Sequence, residues 1–230
     1  MRKEPLLTGE YYHIYNRGVD KRDIFNDLKD LDRFKESIKE FNQIEGIGSL
    51  EMYNKSMRAL DFHLLVKSEP LVAIVAFCIN PNHFHLLLKQ LVEGGIAKFM
   101  QKVLGGYTYY FNQKNRRSGS LFQGTFKSKL IKNNDYFKKI FAYVNKNYSV
   151  HGIPKNKLHF IFASDIEYEK EFFNFVSQIE GYKILEIFEG KNNLKKHCEE
   201  MISIIRDERG KTSLGEPDDL PNNSVSSVRV

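Results

Sequence analysis

Two apolar runs that meet at a tight polar turn constrain this chain more than any other feature. Residues 71–79 read LVAIVAFCI, Asn80, Pro81 and Asn82 follow, and residues 83–91 read HFHLLLKQL. Short runs rich in β-branched and aromatic residues, broken by Asn and Pro, predict two strands around a tight turn. The longest apolar run, Leu71 to Ile79, is far short of the roughly 20 residues that cross a bilayer. A membrane protein is therefore not expected. The opening MRKEPLLTGEYY lacks the apolar centre of a secretory signal, so the expected location is the cytoplasm.

The flanking segments build an architecture around that hairpin. Tyr11 to Gly18 (YYHIYNRG) predicts a first strand ending in a turn. Leu31, Phe34, Ile38 and Phe41 recur at helical spacing, with Asp27 or Asp30 available as N-cap, and predict a helix to about Asn42. Residues 43–70 have no clear period; Phe62, Leu64 and Val66 suggest a short strand within an insertion. Ile96 to Phe111 reads as a helix weakened by Gly105 and Gly106. FQGTFKSKLI (122–131) resumes as a strand, and Asn134 or Asp135 caps a helix to about Asn147. The order β, α, β, β, α, β, α implies an α+β fold, an antiparallel sheet of ferredoxin-like type with packed helices. Residues 156–206 read as a helical extension and 207–230, with Pro217 and Pro221, as a disordered tail.

Charge narrows the partner. The chain is +6 overall, but residues 101–150 hold eight Lys and two Arg against Asp135 alone, so this stretch is +9 and the rest is −3. Tyr107, Tyr109, Tyr110, Phe111, Phe122 and Phe126 are interleaved with those cations. Cations interleaved with aromatic rings suit phosphate contacts and base stacking, although the same pattern also describes a solvated basic face.

The residues suited to chemistry are few. Cys78 and Cys198 are the only cysteines, which leaves neither a disulfide framework nor a cysteine-ligated zinc site, so a metal would rest on His, amides or carboxylates. His83 and His85 flank Phe84 in a predicted strand and so project from one face, where two imidazoles can hold one divalent cation with open positions left for a phosphate oxygen. Tyr143 and Asn147, four residues apart on a helix, share a face. A Tyr beside a metal can attack phosphorus and store the phosphodiester energy as phosphotyrosine; packing beside Phe141 and Tyr136 explains its presence equally well. Gly210, Lys211 and Thr212 imitate the end of a P-loop, but Ile205 stands where its first Gly must be.

In order along the chain, YHIYNRG (12–18), IF followed by LDRF (24–34), VAFCINPNHFHLLL (75–88), YTYYFNQK (107–114), RSGSLFQGTFKS (117–128) and YVNKNYSVHG (143–152) resemble the single-tyrosine transposase domain of the HUH superfamily. Within it the chain resembles the REP-associated tyrosine transposases, and the likeness spans about residues 10–155. The resemblance implies His83 and His85 as ligands of Mg²⁺ or Mn²⁺, Tyr143 as nucleophile and Asn147 as the residue completing the metal site. Tyr148 replaces the usual Pro after that Asn, and Thr125 stands where relatives often carry Arg. The implied activity is metal-dependent cleavage and transfer of single-stranded or hairpin DNA, as monomer or homodimer. The candidate DNA contacts are Arg17, Arg116, Arg117, Lys127, Lys129, Lys138, Lys139 and Lys146. A catalytically silent DNA- or RNA-binding regulator and a structural protein are the alternatives.

Overall fold

The structure is a computed structural model that describes residues 5–59 and 68–211. At its centre is the expected hairpin, with β2 (Val72–Ile79) antiparallel to β3 (His83–Gln90) and a bulge between Ile74 and Ala76. β1 (Tyr11–Arg17) pairs with the other edge of β3, β4 (Lys127–Leu130) pairs with β1, and β5 (Phe162–Ala163) pairs with β2. The strand order is β4-β1-β3-β2-β5 and every pairing is antiparallel. Every β2 residue is buried, as is all of β3 except the partly exposed Lys89, because helices cover both faces of the sheet and strands flank both edges of the pair.

The helices are α1 (Leu28–Glu40), α2 (Leu50–Ala59), α3 (Gly95–Lys114), α4 (Asn134–Asn145), α5 (Asp165–Lys170), α6 (Gln178–Ile187) and α7 (Lys191–Lys211). Asp27 caps α1 by accepting from the Asp30 backbone N–H. The cap of α4 is Asn133, one residue before the expected Asn134, and it accepts from the Tyr136 N–H. On one sheet face α1 and α3 bury Phe34 against Phe84 and Tyr107. Gly106 does not break α3: it lies under Phe41 of the α1 end, whose ring would stand 3.1 Å from an added Cβ, so the missing side chain lets the two helices close. Gly18 in the YHIYNRG stretch has a similar reason, since a Cβ there would fall 2.3 Å from the Arg22 carbonyl oxygen.

Residues 50–59 form α2, a helix within a segment whose sequence showed no period; the candidate strand at Phe62, Leu64 and Val66 lies outside the described residues. The C-terminal extension is helical but not peripheral. β5 joins the sheet edge, Glu180 of α6 accepts from the Tyr11 hydroxyl and pairs with Lys89, and α7 packs along α4. Helix α7 also continues through Lys211, past residue 207 where the tail was expected to begin.

Asp30 shows that part of the basic segment is structural. Its carboxylate is fully buried and accepts from the Asn26 N–H, the Tyr110 hydroxyl and Lys114 Nζ, the last at 2.6 Å. Asp30→Ala leaves Lys114 paired with Asp27 but strips the Asn26 N–H and the Tyr110 hydroxyl of their acceptor, so it is expected to cost about 1–3 kcal/mol. Urea unfolding of parent and variant measures this; a loss under 1 kcal/mol on the same ruler, the scale of an exposed ion pair, would contradict it.

Candidate metal and nucleophile site

Strand register assembles the site. In the β1–β3 ladder Tyr15 faces His85, Arg17 faces His83 and His13 faces Leu87, so the alternating side chains of both strands share one face. Cys78 on β2 and Lys127 and Lys129 on β4 pair with members of the same set. Helix α4 covers this face. The Tyr143 ring stands edge-on to His85 with centroids 5.2 Å apart and to His13 at 5.9 Å. The helix thus brings the candidate nucleophile to the candidate metal ligands within one chain.

The turns at the two ends of this face supply the remaining donors. Nδ1 of His83 lies 2.6 Å from Asn82 Oδ1, which must accept, so the His83 proton sits on Nδ1 and its Nε2 carries the lone pair. That Nε2 is 3.1 Å from Asn147 Oδ1, another acceptor, and the Asn80 amide donates to both, at 3.0 and 2.9 Å. Two acceptors converging so closely form an electron-rich pair of the kind that holds a cation. His151, just beyond α4, completes a cluster in which the ligand nitrogens of His83, His85 and His151 all lie within 4.8 Å of one another. Nε2 of His151 and Nδ2 of Asn147 are buried without a hydrogen-bond partner.

The electrostatics favour neutral, ligating imidazoles. Burial, together with His13, His83, His151 and Arg209, holds His85 well below its ordinary range. Burial, with His83, Arg209 and Arg17, pushes His151 down to about 3. The donor set therefore fits a divalent cation: three neutral nitrogens and an amide oxygen, with bonds to Asn80 and Asn82 orienting His83.

The extension shapes the site from behind. Arg209 of α7 donates to the Tyr143 hydroxyl at 3.0 Å and its guanidinium lies 5.5 Å from the ring centroid, so Tyr143 is fully buried. Arg206 donates to the Ser149 carbonyl, Tyr148 to Asp165 at 2.6 Å, and Ser164 to Asn145. The Tyr148 position that departs from the expected Pro thus anchors the loop that carries Asn147.

The candidate cations are distributed unevenly about the site. Arg17, Lys127 and Lys129 stand on strands that bear or flank the histidines, and Arg116 is exposed in the turn after α3. Arg117 is bound to Asn112 Oδ1 and the Ser120 carbonyl. Lys138 lies over the Phe188 ring, Lys139 pairs with Glu208 at 3.1 Å, and Lys146 caps the end of α4. His13, Asn80, His151 and Arg209 were not singled out from sequence, although three of them lie within stretches that carry the family resemblance.

An antiparallel sheet that presents a histidine cluster to a helix-borne tyrosine agrees with what the sequence resemblance implies. Residues 66–147 match the family described as "Transposase IS200 like", a span that contains β2, β3, α3, β4 and α4 with His83, His85 and Tyr143. The solved structure of a REP-associated tyrosine transposase bound to a REP hairpin shares the fold, with a TM-score of 0.50 and 13% identity, over 77% of this chain and 90% of that one. The resemblance and the α+β fold are thus borne out. No curated protein matches the chain. No helix among the described residues is long and apolar enough to cross a membrane.

Proposed function

We propose that the chain is a metal-dependent endonuclease and strand transferase acting on single-stranded hairpin or palindromic DNA through Tyr143. The observation that carries this reading is the edge-on packing of Tyr143 against His85 within a cluster of three imidazoles. A divalent cation held by His83, His85, His151 and Asn147 would polarise the scissile phosphate and neutralise charge gained in the transition state. The nitrogen-rich donor set suits a transition ion such as Mn²⁺ better than Mg²⁺. Tyr143 Oη attacks phosphorus, the bond to the 3′ oxygen breaks, and the phenolic proton ends on the departing 3′-hydroxyl, directly or through water. The product is a 5′-phosphotyrosine that a second strand end can resolve. Because one chain supplies both the donors and the tyrosine, this arrangement serves its own active site.

The hairpin seen with the fold relative supports hairpin DNA as substrate here. Arg17, Lys127 and Lys129 would hold backbone phosphate near the site, with Arg116 and Lys146 at its margins. Arg117, Lys138 and Lys139 are tied to other parts of the fold, by Asn112 and Ser120, by the Phe188 ring and by Glu208, and Lys127 likewise lies over the Tyr15 ring. If exposed cations track a single-stranded backbone, log K falls with log salt, and each lost contact flattens the slope by about 0.7. The pair Arg116→Ala and Lys127→Ala is therefore expected to weaken hairpin binding and flatten that slope, similarly for different hairpin sequences. Isotherms at several salt concentrations that overlay those of the parent would mark the two as ordinary surface charge.

A second reading, a catalytically silent DNA-binding protein, is favoured by one observation: the Tyr143 hydroxyl is buried beneath Arg209, so DNA reaches it only if the end of α7 gives way. Incubation with end-labelled hairpin DNA and Mn²⁺ separates the two. The nuclease yields an adduct that survives denaturation and is absent with excess EDTA; the silent binder shifts the hairpin but yields none.

A further inference from the structure

His85 offers one ring nitrogen to the histidine cluster, and the other is engaged behind it. Its Nδ1 lies 2.8 Å from Nε2 of His13, in a contact buried on both sides. His13 comes from β1, on the same sheet face and one register step from the residue opposite His85. The two rings are nearly parallel, with an interplanar angle of 20° and centroids 5.1 Å apart, and Tyr15 stacks against both. Between two neutral imidazoles only one nitrogen can donate. Were His13 the donor, the His85 proton would sit on Nε2 and the lone pair facing His83 and His151 would be lost.

We propose that His13 is a positioning residue of the metal centre, accepting a hydrogen bond from Nδ1–H of His85 so that the Nε2 lone pair of His85 is directed at the cation. This rests on the metal-dependent reading above. Ligating histidines are usually held in this way by a carboxylate or a carbonyl, which fixes the tautomer and the ring orientation. An imidazole in that role adds no negative charge to a face already crowded with neutral donors.

Mn²⁺ uptake by the DNA-free protein, read from the free-ion EPR signal, tests the role without reference to cleavage. Loss of such an outer partner typically costs 10–100-fold in metal affinity, so His13→Ala is expected to bind Mn²⁺ about that much more weakly than the parent. His13→Gln, whose side-chain amide oxygen can accept from Nδ1–H, should recover most of the loss. Thermal melts of the three proteins run alongside. Parent-like Mn²⁺ affinity in His13→Ala would overturn the proposal. So would an equal loss in His13→Ala and His13→Gln, which would make His13 a packing residue. A parent that takes up no Mn²⁺ would instead reject the metal centre itself, a result distinct from a parent that binds and variants that match it.

Discussion

Tyr143→Phe is expected to abolish the covalent DNA adduct while leaving hairpin binding within about twofold of the parent, since the change removes the attacking oxygen and retains the ring. The ring packs against His85 and His13 through its edge, contacts that Phe keeps. The hydrogen bond from Arg209 is lost, worth about 1–3 kcal/mol, within reach of a domain of ordinary stability. An adduct that persists in Tyr143→Phe would redirect the assignment. Among nearby tyrosines, Tyr148 is a poor substitute, because its hydroxyl already donates to Asp165 and burial, followed by that bond, raises its pKa.

The second large effect concerns the imidazoles. His83→Ala and His85→Ala each remove one nitrogen from the cluster and are expected to lower cleavage by 100-fold or more, roughly the loss of several kcal/mol of Lewis-acid stabilisation. Hairpin binding should persist, because the phosphate contacts proposed above fall on other side chains. His151→Ala should fall in the same direction and by less, since it stands on a loop beyond α4 and not on the central strand. A Mn²⁺ titration reads the difference: a weakened ligand set shifts the midpoint upward. Either strand histidine variant cleaving like the parent across the whole titration would remove that residue from the metal site.

Legibility from sequence followed the physics of each element. The β2–β3 hairpin was plain because β2 is apolar throughout, β3 carries Phe84 and the run Leu86, Leu87 and Leu88, and Asn80, Pro81 and Asn82 join them. Helices α1 and α4 had periodic apolar faces with capping residues one turn before them. Helix α2 was harder to read: Leu50 is buried and Tyr53 packs against the core, while Met52 between them is exposed. β5 is two residues long and exists only because β2 offers an open edge, which no local pattern announces.

The site was legible to the same degree. His83 and His85 stand out because strand alternation alone puts them on one face. His13 is hidden in an alternating aromatic strand, and its significance depends on the β1–β3 register. His151 lies in a loop without periodicity, so its approach to His83 depends on how the chain turns after α4. The extension was read as helical only to residue 206, and Glu208 and Arg209 fell in the expected tail; the contacts they make with α4, and that of Arg206 with Ser149, arise only from tertiary packing.

A covalent bond between Tyr143 and DNA, formed with the help of a cation on the histidine cluster, is the step on which the proposed function stands. Its most direct test is to incubate the parent chain with hairpin DNA and Mn²⁺, digest with nuclease and protease, and identify the nucleotide-bearing peptide by mass spectrometry. One modified peptide is expected, carrying a 5′-linked nucleotide on Tyr143 and disappearing with EDTA. A nucleotide on any other residue, or cleaved hairpin with no modified peptide, would contradict it.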